Sequence, residues 1–553
     1  MTTSAALFEE AVRQHLAGNA VRATALYQQV LAVDPKQARA LANLAALATD
    51  RRDYEQALEL ASAAVAIEPE FAQAWNIRGV ALTRLNKPSH AVESYSRAVN
   101  AKPKFAEAYS NRASTLLQMG KVAQARADCE QALTLQPNLA AAHATLGAAL
   151  CEQRHFDEAV RSYECAIALA PKMFEAQNGL GVVFLRQGRA DEALAVNDRV
   201  IAGNPNAETW NDRGSILYML RRWDDALAAY DKALSLLPTY GDAYWNKSLL
   251  LLLLGRYEEG WKLYEWRWRS RGLAYAARNF AEPLWGGEDL IGKTILLHAE
   301  QGLGDTLQFA RYVPLVAARG GQIFLEVPAS LTGLLSRLDP RVTVIARGVS
   351  LPHFDVQCPL MSLPAVFGTT VDTIPATIPY LSAAPEHVAR WRSQLGPQMK
   401  LRVGLTWAGR PGYANDYTRS MSPETLSPLL DVDCEFHCLQ RDITPADRTW
   451  LDAHPEVRSY GGAITTFEDA AALTSLMDVV VTVDTASAHL AGALGKPTSV
   501  LLPFSPDFRW LTEGSGSPWY PTAQLFRQSA PRDWTQPLAG VKAYLHRRVH
   551  SGR

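Results

Sequence analysis

A chain of 553 residues, 48% apolar and 20% charged, is too long for one hydrophobic core and too apolar to be disordered, so several folded domains are expected. Its 55 basic residues nearly cancel 56 acidic ones, which excludes a global field for nucleic acid or an anionic membrane; any phosphate binding must be local. The longest apolar run, SLLLLLLG at 248–255, falls far short of the roughly 20 residues of a membrane helix, so no membrane span is expected.

The first twenty residues lack a basic stretch followed by an apolar core, and no signal peptide is expected. Six scattered cysteines fit a reducing cytoplasm better than a disulfide framework.

From the N-terminus to about residue 270 the chain repeats. Prolines recur every 34 residues at Pro35, Pro69, Pro103, Pro137, Pro171 and Pro205, and then at Pro238. Alanines 23, 57, 91, 125, 159, 193 and 226 keep the same phase, and Tyr27, Tyr95, Tyr163 and Tyr230 each follow such an alanine by four residues. Stretches such as residues 74–103 carry two apolar stripes at helical spacing around a short polar turn, which reads as a helical hairpin. Small residues (Gly79, Ala91) allow close crossing, the aromatic fills the gap between hairpins, and the proline ends the second helix.

Period, small residues, aromatic and proline in phase over seven copies resemble the tetratricopeptide repeat. A partial eighth copy at 240–270, with Gly260 in the alanine place and no closing proline, reads as a cap joining the solenoid to the C-terminal half of the chain. The solenoid is either a spacer or a concave groove for a protein. Asn43, Asn76, Asn111, Asn178, Asn211 and Asn246 lie in the first helix of successive units; they are plain polar positions or, lined along an inner wall, amides that hold an acceptor peptide backbone.

Past residue 271 the pattern becomes short β-branched runs alternating with helices, the sign of parallel α/β layers. KTILLH, GQIFLEV, VTVIA and FDVQC are expected as strands of one half, with helices near 305–319 and 328–338. After a proline- and threonine-rich connection at 368–381, LRVGLTW, EFHCLQ, VRSY, DVVVTV and PTSVLLP are expected as strands of a second. Two such units leave a cleft at their strand ends, where small ligands bind.

Three strand tips carry candidate chemistry. In HAEQGLGDTLQFARY (298–312), Gly302 and Gly304 permit a tight loop, and Asp305 is either a helix-capping acid or a carboxylate able to take a proton from an attacking hydroxyl, with Glu300 and His298 beside it as further candidates. In VGLTWAGRPGYANDYTRSMSPETL (403–426), Trp407 ends a strand, and Arg410 and Arg419 are guanidinium groups that either neutralise a leaving diphosphate or remain solvated. A helix is expected after them, with Ser422 as cap and Glu424 in its first turn. In DVVVTVDTASAHLAGALGKP (478–497), Asp484, Thr485, Ser487 and Ala488 open a helix whose free amides suit a diphosphate, and His489 is a ligand or a satisfied structural imidazole. Two weaker signals are discounted: Cys434, His437 and Cys438 as a metal set, and Asp-Val-Asp at 431–433 as a metal motif.

In this order the tips resemble glycosyltransferases of the two-Rossmann (GT-B) architecture, in particular the heptosyltransferases and bacterial proteins joining tetratricopeptide repeats to such a domain; O-GlcNAc transferases are similar in layout. The expected fold is thus α plus α/β: a solenoid over 4–272, a linker over 273–290, an acceptor-side Rossmann-like half over 291–382 and a nucleotide-sugar half over 383–545.

The resemblance implies sugar transfer from a nucleotide-sugar to a hydroxyl, most simply Ser or Thr of a protein on the repeats, with Asp305 as base. Gly302, Gly304, Trp407, Arg419, Asp484, Thr485, Ser487, Ala488 and His489 lie about the donor, no metal or other cofactor is expected, and flagellin is the acceptor candidate that repeat-bearing relatives imply. Heptosyltransferases carry glycine after Asp-Thr where this chain has Ala486, a side chain that narrows the approach of an ADP-heptose. The competing expectation is a non-catalytic repeat scaffold with a degenerate α/β pair.

Overall fold

The computed structural model describes residues 4–273, 277–409 and 416–551, and falls into two compact units, residues 1–204 and 205–553. The first unit is six helical hairpins: Ser4–Leu16 with Ala20–Val33, Ala38–Asp50 with Tyr54–Ile67, Ala72–Arg84 with Pro88–Ala101, Ala106–Gln118 with Val122–Leu135, Ala140–Glu152 with Phe156–Leu169, and Phe174–Arg186 with Ala190–Gly203. The phase-keeping alanines Ala23, Ala57, Ala91, Ala125, Ala159 and Ala193 are all fully buried. A Cβ on Gly79 would come within 2.5 Å of the Tyr95 ring, and one on Gly147 or Gly179 within 2.8 or 2.4 Å of the Tyr163 ring. The tyrosine therefore fills the space between the first helix of its own hairpin and that of the next, and glycine there makes room for it.

One regularity of the turns has no counterpart in residue type. Each hairpin bends through a single left-handed residue: Gly18, Arg52, Asn86, Gly120, Arg154 and Gly188 in the first unit, and Arg221 and Gly255 in the second. Backbone geometry recurs with the repeat while residue type does not, so the three arginines and the asparagine hold a conformation that glycine adopts without strain.

The second unit opens with two more hairpins, Ala207–Met219 with Trp223–Leu236 and Gly241–Leu253 with Tyr257–Tyr264, followed by the 3-10 turn Glu265–Arg269. Asn206 caps the first of these helices reciprocally with Thr209.

Beyond the hairpins lie two wholly parallel sheets. The first contains β1 (Thr294–His298), β2 (Gln322–Val327), β3 (Val342–Ala346) and β4 (Val356–Pro359) in the order β3-β2-β1-β4. The second contains β5 (Leu401–Thr406), β6 (Cys434–Cys438), β7 (Val457–Arg458), β8 (Val479–Val483), β9 (Thr498–Leu502) and β10 (Ala523–Arg527), ordered β10-β9-β8-β5-β6-β7. Each is a doubly wound order, with the direction of winding reversing beside β1 in one sheet and beside β5 in the other. β8 and β9 are buried at every position, as continuous apolar runs are in a parallel sheet covered on both faces.

Nine strands lie where the apolar runs place them. β10 is the unexpected tenth: Gln524 and Arg527 break its pattern, and it is an edge strand with half-exposed positions. The helix expected over 305–319 is interrupted: Leu303–Phe309 passes through a 3-10 turn, Ala310–Tyr312, into Val313–Ala317, where Pro314 withholds an N–H. That near 328–338 is a 3-10 turn, Ala329–Leu331, followed by the single turn Thr332–Leu335. The helix expected after Ser422 is a 3-10 turn, Pro423–Leu429, without a side-chain cap, since Pro423 and Pro428 remove two amide donors.

On β6 the period of two sends His437 to the face opposite Cys434 and Cys438, and its Nδ1 pairs with Tyr460 Oη at 2.5 Å. Asp431 and Asp433 pair with Lys542 and Lys400 instead of facing one another. Among the described residues no group of three His, Cys, Asp or Glu side chains is arranged to hold a metal ion. Among them, too, no helix is long and apolar enough to cross a membrane.

Candidate functional site

In the second unit a cleft of about 1660 Å³ opens where the two sheets present their strand ends. Besides Trp245, Gly272 and Leu273 from the last hairpin and the stretch after it, its wall is built mainly from the segments after β1 (Ala299–Asp305), after β3 (Arg347–Val349), after β5 (Ala408 and Gly409), after β6 (Leu439–Asp442), after β8 (Asp484–Ser487, His489) and after β9 (Asp507, Arg509). Each of these segments lies at the carboxyl end of a strand, where the doubly wound topology leaves space for a ligand.

Two of the three expected tips meet directly. The helix Leu303–Phe309 packs on the helix Ala486–Ala493 so closely that a Cβ on Gly304 would fall 2.9 Å from His489 Cδ2 and 3.3 Å from Ala486 Cα. The contact places Asp305 and Asp484 on one cleft.

Asp305 serves as the capping acid of its helix: Oδ2 accepts the Gly302 N–H at 2.8 Å. Oδ1 accepts from the Arg509 guanidinium, which reaches over from the loop after β9. Arg509 is in turn anchored by Gln308 Oε1 and Asp507 Oδ1, each at 2.6 Å. Burial would drive off its charge, but Asp507, Asp305 and Asp484 together hold its pKa above the usual value.

Asp484 is buried, and burial together with the neighbouring Asp507 charge raises its pKa to about 6, against the pull of Arg419 and Arg509. Thr485 is the residue before the helix Ala486–Ala493, and its own side chain makes no capping hydrogen bond to the amides at that end. Thr485, Ser487 and His489 line the cleft. His489 is also a structural imidazole: Nδ1 pairs with Tyr520 Oη at 3.0 Å, the ring stacks on Trp510 with centroids 5.8 Å apart, and burial pushes its pKa far down, so it is neutral.

Arg419 lines the cleft beside Gly409 and leans on Asp416 at 3.4 Å; the loop is closed by Ser420, which accepts the Gly409 N–H and donates to Asp416 Oδ1. Arg410 lies outside the described residues.

Two residues expected about the donor face elsewhere. Trp407 is fully buried in the core of the second sheet, its Nε1 donating to Asp447 Oδ1 at 3.0 Å; alternation along the chain turns Thr406 and Ala408 to the cleft and Trp407 away from it. Ala488 is likewise buried on the inner side of its helix and does not line the cleft.

The asparagines are tied laterally. Asn111 Nδ2 donates to Asn76 Oδ1 and Asn246 Nδ2 to Asn211 Oδ1, each at 3.0 Å, while Asn43 donates to Tyr27 Oη. Asn178 is half-buried.

Residue-by-residue reading misses Asp507 and Arg509. Arg509 and Asp507 stand in PFSPDFRW, another loop after an apolar strand, and that position is the available signal. Glu300 is legible only as a neighbour of Asp305. Its side chain is 1% exposed, Oε1 accepts from the fully buried Arg267 at 2.9 Å, Oε2 has no hydrogen-bond partner among the described residues, and burial raises its pKa to about 7 against the opposing Arg267 charge.

Tetratricopeptide repeat families match residues 15–81, 72–105, 104–172, 144–208 and 207–240, so the hairpins over 15–240 are tetratricopeptide repeats. Protein FlbA of Caulobacter vibrioides is 28% identical over 418 residues, 62% of this chain and 68% of its own length. A tetratricopeptide repeat protein from Parabacteroides merdae shares 19% identity at a TM-score of 0.36, covering 42% of this chain and 93% of its own. TTC0263, a thermophilic protein of the same repeat class in Thermus thermophilus, shares 23% at 0.31, covering 33% and 99%.

Proposed function

We propose that the chain is a GT-B glycosyltransferase that moves a sugar from a nucleotide-sugar to a hydroxyl, most simply Ser or Thr of a protein bound by the tetratricopeptide repeats. The observation that carries this reading is the contact of Gly304 with His489 and Ala486, which joins the strand ends of two doubly wound sheets at one cleft.

In this reading residues 291–382 are the acceptor side and 383–545 the donor side, both Rossmann-like. The acceptor oxygen attacks the anomeric carbon as the bond to the nucleoside diphosphate breaks, and the hydroxyl proton passes to Asp305. Charge growing on the departing diphosphate meets Arg419, Arg509 and the first amides of Ala486–Ala493, each well-placed donor lowering the barrier by about 2–4 kcal/mol. Both carboxylate oxygens of Asp305 are engaged, by the Gly302 amide and by Arg509. A diphosphate that recruits Arg509 would release Oδ1 for the proton.

That same engagement of Asp305 favours the second reading, a repeat scaffold whose α/β pair does no chemistry. Titration with UDP, GDP, ADP and CDP, followed by hydrolysis of the matching nucleotide-sugar, separates the two. Hydrolysis by the wild type that disappears in Asp305→Asn at an unchanged unfolding midpoint supports the transferase. A wild type that binds no nucleotide leaves the scaffold. Intact masses of proteins from cells with and without the chain then identify the acceptor and the sugar class.

A further inference from the structure

The turn of the hairpin Ala207–Leu236 reaches the loop after β9. Tyr218 Oη donates to Pro506 O at 2.7 Å, and Ser505 Oγ returns a hydrogen bond to Met219 O at 2.9 Å. Arg221 Nε donates to Phe504 O at 2.5 Å and its Nη2 to Gln528 O at 3.3 Å, with the guanidinium carbon 4.0 Å from the centre of the Phe504 ring. The next residues of the same loop, Asp507 and Arg509, pair with each other and line the cleft.

Arg221 occupies the recurrent left-handed position of the hairpin turns, with φ of 56°. At the same place Arg52 and Arg154 are exposed, and four hairpins use glycine. Arginine at 221 costs backbone strain that glycine would avoid, and only a side chain can span to Phe504 and Gln528.

We infer that the turn Tyr218–Arg221 is a positioning element of the cleft, holding Phe504–Pro506 from behind so that Arg509 stands where an anionic diphosphate would meet it. A carbonyl on each of Phe504, Pro506 and Gln528 is fixed by a repeat side chain, so the loop backbone that carries Arg509 has little freedom to draw back from the cleft. The ligand class rests on the transferase reading; the buttressing of the loop does not.

The test uses the full chain with Tyr218→Phe and Arg221→Gly, and Arg154→Gly as the same change at a turn without such contacts. Two quantities are read: amide hydrogen exchange over 504–510, and the dissociation constants of UDP, GDP, ADP and CDP. Expected are faster exchange confined to that loop and binding weakened by about tenfold to a hundredfold, the scale of a weakened hydrogen bond to a charged group, with Arg154→Gly like the wild type.

Tyr218→Phe removes a single hydroxyl, so it keeps the experiment decisive if Arg221→Gly unfolds. Unchanged exchange in both variants overturns the inference, as does unchanged affinity once the loop has loosened. Should the wild type bind none of the nucleotides, the transferase reading falls, and the exchange measurement alone still decides whether the turn holds the loop.

Discussion

Arg509, in the segment after β9, donates to Asp305, in the first turn of the helix after β1, so one ion pair links the second sheet's side of the cleft to the first's. Neither partner is fully withdrawn from water: the side chains are 10% and 21% exposed. An entering anion can therefore compete for the guanidinium.

Arg509→Ala is expected to lose about 1.5–3 kcal/mol of nucleoside diphosphate binding, the worth of hydrogen bonds to a charged group. Calorimetric titration checks it. Asp305→Asn, which retains an oxygen for the Gly302 amide, is expected to bind the same nucleotides at least as tightly, because Arg509 is no longer held by a carboxylate.

Stability should carry the signature of Glu300. Its folded pKa of about 7 lies above the unfolded value of about 4.3. The folded state then holds the extra proton, and the contribution is full below pH of about 4 and lost as pH rises through about 7. Glu300→Gln removes this dependence, so the variant should gain on the wild type over that window by roughly 3–4 kcal/mol at most. Urea unfolding at pH 4.5 and 8 measures it; a constant difference between the two proteins would count against the raised pKa.

At Gly214 a Cβ would come within 2.4 Å of the Tyr230 ring. Gly214→Ala is expected to destabilise the second unit by about 1–3 kcal/mol through overpacking. Pairing it with Tyr230→Leu should cost less than the sum of the two single changes, because both act on the same space. Thermal unfolding of the four proteins completes the cycle.

The left-handed turns give opposite outcomes for one kind of substitution. Arg154 is exposed, so Arg154→Gly relieves backbone strain at no contact and should raise stability by about 0.5–1 kcal/mol. Arg221→Gly relieves the same strain but gives up the bonds to Phe504 and Gln528, and should be destabilising. Denaturant midpoints of the two variants should move in opposite directions.

The hairpins are legible in the sequence because each is a local object. Proline, alanine and tyrosine recur with the backbone they serve, and burial of Ala91, or of Tyr95 against Gly79, needs only neighbours within a few dozen residues. The buried strands are legible for the same reason, since β8 and β9 are unbroken apolar runs. β10 escapes because an edge strand tolerates polar residues where a central one cannot.

What the sequence by itself determined is the repeat, nine of the strands and the presence of glycine and acid at their tips. Only the tertiary structure decided that Gly304 rests on His489, that Trp407 turns to the core beside a lining Thr406, and that Arg509 meets Asp305 from a loop named by no motif. Local spacing dictates which way a side chain leaves its own strand or helix. Contacts between distant loops depend on how two sheets and a helical turn pack together, and that information is shared among residues such as Arg221, Phe504 and Gln308 that carry no signal when read one at a time.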